Sequence, residues 1–202
     1  MSKYTNEQRL YDIASLQQGY FTARQAKEAG YTDSRFAYYV KKGRWTREGR
    51  GIYRLANYPV GDRPDLVYWS LWSCSRSGEV QGVFSHQTAL AIHDLSDVMP
   101  AKYHLTVPTS FRKFNAPPEN LVLHFGHLHP HEVLEFEGFK VTSPEKTIND
   151  VLLDGRIPEE FVIQAILDGL AKGVISKSRL ISATEPFKSD RVKRIMNEVG
   201  RK

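Results

Sequence analysis

With one cysteine, Cys74, in 202 residues, the chain cannot form an internal disulfide and lacks the partner thiols of a zinc finger or redox pair. A small buried hydrophobe is the role expected of it. Long apolar runs are missing too: stretches such as Val162 to Ile166 fall far short of the ~20 residues needed to span a bilayer. The charged start Met1 to Arg9 precedes no signal-type apolar run, so no membrane partner and a cytoplasmic location are expected. Enzyme signatures are likewise missing, with no P-loop, no Gly-x-Gly-x-x-Gly, no His-Glu-x-x-His and no Gly-x-Ser-x-Gly. Ser85 and His86 are neighbours in sequence, which does not make them a catalytic pair. No enzyme activity and no cofactor are expected.

Hydrophobic residues make up 41% and charged residues 25%, enough apolar material to close a globular core and too little charge for disorder. The net charge of +5 hides a partition. Residues 1–57 carry 11 Lys/Arg against 5 Asp/Glu, residues 58–171 carry 8 against 15, and residues 172–202 carry 9 against 3. Two basic ends around an acidic middle suit a protein that presents its termini to a polyanion.

The N-terminal segment has the local signals to match. Thr5 followed by Gln8 is a capping-box pattern, after which Leu10, Ile13, Ala14 and Leu16 recur near helical spacing. Thr22 with Gln25 opens a second, short helix over 23–29, closed by Gly30. A third runs from a Thr32 or Asp33 cap to Lys42, with Gly43 as its stop. Phe36 and Val40 share one face of it, while Ser34, Arg35, Tyr38, Lys41 and Lys42 span about 120° on another.

Arg44-Trp45-Thr46-Arg47, Glu48-Gly49-Arg50-Gly51 and Ile52-Tyr53-Arg54-Leu55 then read as strand, turn and strand, with Gly49 and Gly51 permitting positive φ. This is a helix-turn-helix followed by a wing. Arg44, Arg47, Arg50 and Arg54 surround the hairpin as candidate phosphate contacts. Arg35, near the start of the third helix, is a candidate for a guanine edge. Tyr38 is open to phosphate, to a thymine methyl, or to neither.

Tyr20-Phe21-Thr22-Ala23-Arg24-Gln25-Ala26, Ala29-Gly30-Tyr31, Lys42-Gly43-Arg44-Trp45 and Gly49-Arg50-Gly51-Ile52-Tyr53-Arg54-Leu55 resemble the N-terminal domain of the AbiEi antitoxins of abortive-infection toxin-antitoxin systems. The run Phe84 to Leu95, opening on Ser85-His86, together with Tyr103 to Pro108 and Val141 to Asp150, is similar to further family segments in order and approximate spacing. The resemblance covers roughly residues 5–155. It departs from the family pattern where Lys146 stands in place of an arginine and where Asn149 interrupts an apolar stretch. What it implies is a role in phage defence as a negative autoregulator, a repressor on double-stranded DNA at operator repeats in its own promoter. It also implies that the chain counteracts a nucleotidyltransferase-like toxin without a stable complex.

The remaining sequence reads as a mixed α+β domain over 65–202 behind a turn-rich linker at 56–64, giving an α+β protein with its winged helix-turn-helix domain at 1–57. Helices are expected at 65–75, with Leu66, Trp69, Leu71 and Trp72 buried, and at 87–93, 144–153 and 159–171; strands are expected at 103–107, 121–124, 132–136 and 139–141. Ser189 or Asp190 caps a last amphipathic helix with Val192, Ile195, Met196 and Val199 inward. Its outward Lys193 and Arg194 are further candidates for DNA contact.

His124, His127, His129 and His131 invite a metal reading. Pro130 breaks their alternation and no cysteine lies near, so an exposed loop and no metal site are expected. Two other classes stay open: a nuclease, with Glu135, Glu137 and Lys140 as the nearest acidic-lysine cluster, and a protein-interaction module built on the acidic middle.

Overall fold

Each of the first two helices begins on a reciprocal pair of bonds. Helix α1 (Asn6–Ser15) is capped by Thr5, whose Oγ1 accepts from the Gln8 amide at 3.2 Å while the Thr5 amide donates to Gln8 Oε1 at 2.9 Å. Thr22 and Gln25 repeat the arrangement at α2 (Ala23–Glu28), at 2.8 and 3.2 Å. Each box satisfies amides that a helix start leaves without partners. Helix α3 (Asp33–Lys41) follows, with Thr32 at its cap making no side-chain bond.

The computed structural model describes residues 4–184 and 189–201. The chain divides into two compact units, residues 1–82 with 135–139, and residues 83–134 with 140–202. In the first unit a strand unforeseen in the sequence, β1 (Tyr20–Thr22), joins the hairpin of β2 (Trp45–Gly49) and β3 (Ile52–Leu55) in an antiparallel sheet ordered β1-β3-β2. Phe21 lies opposite Tyr53 and Thr22 opposite Ile52, which ties the segment between the first two helices to the base of the wing.

The turn has a different glycine logic from the one expected. Only Gly51 of the pair takes positive φ, at 74°. At Gly49 a Cβ would come within 2.4 Å of the Tyr68 hydroxyl, so close approach of a side chain, rather than backbone handedness, favours glycine there, and a larger residue would displace the Tyr68 ring.

Tyr68 belongs to α4 (Pro64–Trp72), which packs on β1 and β3. The first unit therefore extends to residue 82, whereas the turn-rich sequence at 56–64 suggested a boundary before this helix. Leu66, Val67, Ser70 and Leu71 are its buried residues, while Trp69 and Trp72 are half-buried. Cys74 is half-buried too, paired in an isolated bridge with Val80 rather than enclosed. Leu16, expected on the inner face of α1, is the C-cap and 71% exposed.

The second unit is built on a five-stranded sheet ordered β6 (Leu121–Phe125), β5 (Tyr103–Val107), β4 (Val83–Phe84), β8 (Phe139–Thr142) and β7 (Val133–Phe136). Pairing is parallel between β5 and β6 and between β4 and β8, and antiparallel between β4 and β5. Helices α5 (His86–His93), α6 (Pro144–Asp154), α7 (Glu159–Ala171), α8 (Lys177–Thr184) and α9 (Asp190–Val199) supply its core. Leu90, Ile148, Val151, Leu152, Val162, Ile166 and Ile195 are essentially inaccessible. Val192, Ile195 and Val199 of α9 face inward as the periodicity indicated, whereas Met196 is half-buried. Helix α5 begins one residue before the expected 87–93, while β4 and α8 were not expected from the sequence.

His93 carries a pH dependence. Its Nε2 donates to the carbonyl of Thr142 at 2.7 Å, and burial holds its pKa below the ordinary 6.5, outweighing the opposing effect of that bond. Because the unfolded chain takes up this proton first, the stabilising contribution is complete above about pH 6.5 and is lost as pH falls below it. Melting temperatures measured between about pH 7.5 and 5 should fall toward acid, and less steeply in His93→Gln, whose amide can donate to the same carbonyl. An equal slope in both proteins would contradict this assignment.

Candidate nucleic-acid interface

Helix α3 sorts its side chains by face. Phe36 is buried, Tyr39 and Val40 are half-buried, and Ser34, Arg35, Tyr38, Lys41 and Lys42 are exposed together with Ala37. Trp45, 3% exposed, lies behind the helix. Its indole stacks on Tyr39 with centroids 4.8 Å apart and meets Phe36 edge-on at 5.4 Å, Tyr31 at 5.0 Å and Phe21 at 4.9 Å. The anchoring of α3 is apolar, and its charged face remains free.

The wing continues this surface. Arg44, Arg47 and Arg50 are exposed, and a groove of about 540 Å³ between α3 and the hairpin is lined by Asp33, Phe36, Ala37, Val40, Lys41 and Arg47. Among the described residues the side chains of Arg35, Lys41, Arg44 and Arg50 make no hydrogen bond or ion pair. Arg47 Nε makes only a long bond to the Gly49 carbonyl, 3.4 Å, and the Lys42 ammonium sits 5.9 Å over the Tyr38 ring. At the start of α3 the Asp33 carboxylate is matched by Lys27 Nζ at 2.6 Å, which reduces its repulsion of a polyanion. Lys27, Ala37 and the wing's Glu48, whose carboxylate accepts from the Thr46 hydroxyl at 2.9 Å, went unremarked in the sequence. For Ala37 the helical wheel would have found it.

Two of the candidate cations are already engaged. Arg54 is half-buried and its Nη2 donates to the carbonyls of Tyr58 and Pro59 at 2.6 and 2.9 Å, bracing the chain leaving the wing. Arg194 on α9 is bound to Glu159 of α7 at 2.7 Å, while Lys193 is exposed with Asp190 at 3.8 Å. Elsewhere, Glu135 and Glu137 of the nuclease reading are exposed. Among the described residues the one set of three His, Cys, Asp or Glu side chains close enough to share an ion does not include them. The loop histidines also separate: His127, His129 and His131 are exposed, whereas His124 is a half-buried residue of β6.

Three helices, a wing and a free basic face on the third helix define a winged helix-turn-helix module. Residues 8–56 match the family model described as transcriptional regulator, AbiEi antitoxin, so this segment is similar to that family's regulators. The full chain is similar in fold to the RV2827C protein of Mycobacterium tuberculosis, known from a crystal structure, with a TM-score of 0.60 and 13% identity over 96% of this chain and 77% of that one. No curated protein matches. Among the described residues no helix is long and apolar enough to cross a membrane.

Reversing the charge of both Arg47 and Arg50 should weaken retention of any duplex by a similar factor and flatten the dependence of affinity on salt, since phosphate contacts act through counterion release. Mobility shifts over a salt series measure this. An unchanged slope in a folded double variant would remove the wing from the interface.

Proposed function

We propose that the protein is a sequence-specific autorepressor and the antitoxin of an AbiE-type toxin-antitoxin system, binding double-stranded DNA at repeated operator sites in its own promoter. The observation that carries this reading is the unpaired basic face of α3, continuous with Arg44, Arg47 and Arg50, in a segment matching the AbiEi regulator family. Arg35 is the base-reading residue, with Ser34, Tyr38, Lys41 and Lys42 positioning the helix around it. In a major groove a bidentate arginine–guanine contact discriminates by about 1–3 kcal/mol, whereas wing arginines add affinity without sequence preference. Arg54 and Arg194 serve the fold through the partners they already hold, and exposed Lys193 is a further phosphate contact. The opposed toxin is a nucleotidyltransferase whose activity is counteracted without a lasting complex.

DNA from upstream of the protein's own gene should be retained at a salt concentration that releases a random duplex of equal length. Arg35→Ala should erase most of that difference while leaving random-duplex binding nearly intact. Equal losses on the two duplexes would demote Arg35 to a phosphate contact, and equal retention by the wild type would overturn the autorepressor reading.

A further inference from the structure

The polar face of the second unit's sheet concentrates groups that the DNA-binding reading does not use. Residues two apart on a strand share a face, so His104 and Thr106 of β5 lie together, and the register that pairs Thr106 with His124 adds His124 from the parallel neighbour. The chain leaves β4 through buried Ser85 into His86, the opening residue of α5, which takes φ of +51°, a conformation uncommon outside glycine. Asp154 ends α6, which packs on α5.

These four segments bring three imidazoles and a carboxylate into one place. The His86 and His124 rings stack with centroids 3.5 Å apart, and His104 stands 5.2 Å from His124. One ligating atom from each of His86, His124 and Asp154 falls within 4.8 Å of the others. Ligands at about 2.0–2.2 Å around a tetrahedral zinc ion lie roughly 3.3–3.6 Å from one another, so binding would draw the set together and turn the His86 and His124 rings out of their parallel stack, bringing their in-plane lone pairs onto one ion.

The hydrogen bonding around the cluster is arranged from outside and incomplete within. Ser85 Oγ lies 2.9 Å from His86 Nδ1 and accepts from the Thr106 hydroxyl at 2.8 Å, while His104 Nδ1 lies 3.0 Å from His124 Nε2. Metal-bound histidines are commonly oriented through their second nitrogen in this way. Asp154 pairs through Oδ1 with Arg156 Nε at 3.1 Å, but its Oδ2 is buried without a hydrogen-bond partner. A buried, unsatisfied carboxylate oxygen beside stacked imidazoles is costly unless a cation completes it. The nearby Lys146 is committed to Asp150, to which its ammonium donates.

We propose that the second unit binds one divalent transition-metal ion of the zinc type through His86, His124 and Asp154, with His104 and Ser85 orienting the two imidazoles. Two nitrogens and one carboxylate oxygen suit zinc and leave a fourth position open. An ion here ties β6, α5 and the end of α6 together. The exposed histidines at 127, 129 and 131 take no part.

The test uses the full chain without a histidine tag, stripped with chelator and titrated with zinc chloride by calorimetry and with cobalt chloride by visible absorption. One ion per chain, a tetrahedral cobalt spectrum displaced by zinc, and a raised melting temperature are expected. Asp154→Asn and His124→Gln should each lower zinc affinity by at least about tenfold with the circular dichroism spectrum kept, whereas glutamine at 127, 129 and 131 together should leave it unchanged. Absence of saturable binding by the folded wild type would overturn the proposal without recourse to variants. So would undiminished affinity in Asp154→Asn, or loss of binding in the triple loop variant.

Discussion

The indole of Trp45 is the contact on which the exposed basic surface of α3 and the wing depends. It is the first residue of the wing, yet it packs against Phe36 and Tyr39 of α3, Phe21 of β1 and Tyr31 ahead of α3. Each aromatic pair contributes about 0.5–1.5 kcal/mol beyond the area it buries, and truncating a buried tryptophan costs about 3–5 kcal/mol. One side chain thus fixes the angle between helix and hairpin. Because apolar packing does this work, no guanidinium or ammonium on the outer arc has to be spent on holding the fold.

The same economy separates the arginines. Arg54 and Arg194 look equivalent to Arg47 and Arg50 in a charge count, but carbonyls at the exit of the wing bind the first and Glu159 the second. Cations that already have partners gain little from a phosphate, while unpaired exposed ones gain by releasing its counterions. Under the proposed function, α3 and the wing supply the unpaired cations that meet the duplex.

Much of the first unit was legible because its signals are local. A threonine three residues before a glutamine, an apolar pair at helical spacing, and glycines between two strand-like runs each report on their own neighbourhood, and Thr5, Thr22, Phe36 and Gly51 all sit where those signals put them. What escaped is non-local. Strands of three and two residues, β1 and β4, are too short for periodicity and exist through their partners. Gly49 answers to Tyr68, a residue of another element. The cluster of His86, His104, His124 and Asp154 has no spacing motif because the sheet order assembles it, whereas the conspicuous run from His124 to His131 is divided between a strand and exposed positions.

Chemical protection of lysines tests most directly the claim that α3 and the wing form the nucleic-acid surface. The amino groups of Lys41, Lys42, Lys102 and Lys177 all belong to exposed residues, so in the free protein each should react with an acetylating reagent, read out by mass spectrometry. Saturation with a duplex should slow modification of Lys41 and Lys42 and leave Lys102 and Lys177 as reactive as before. Undiminished reactivity at Lys41 and Lys42, with protection moved to Lys102 or Lys177, would contradict the account.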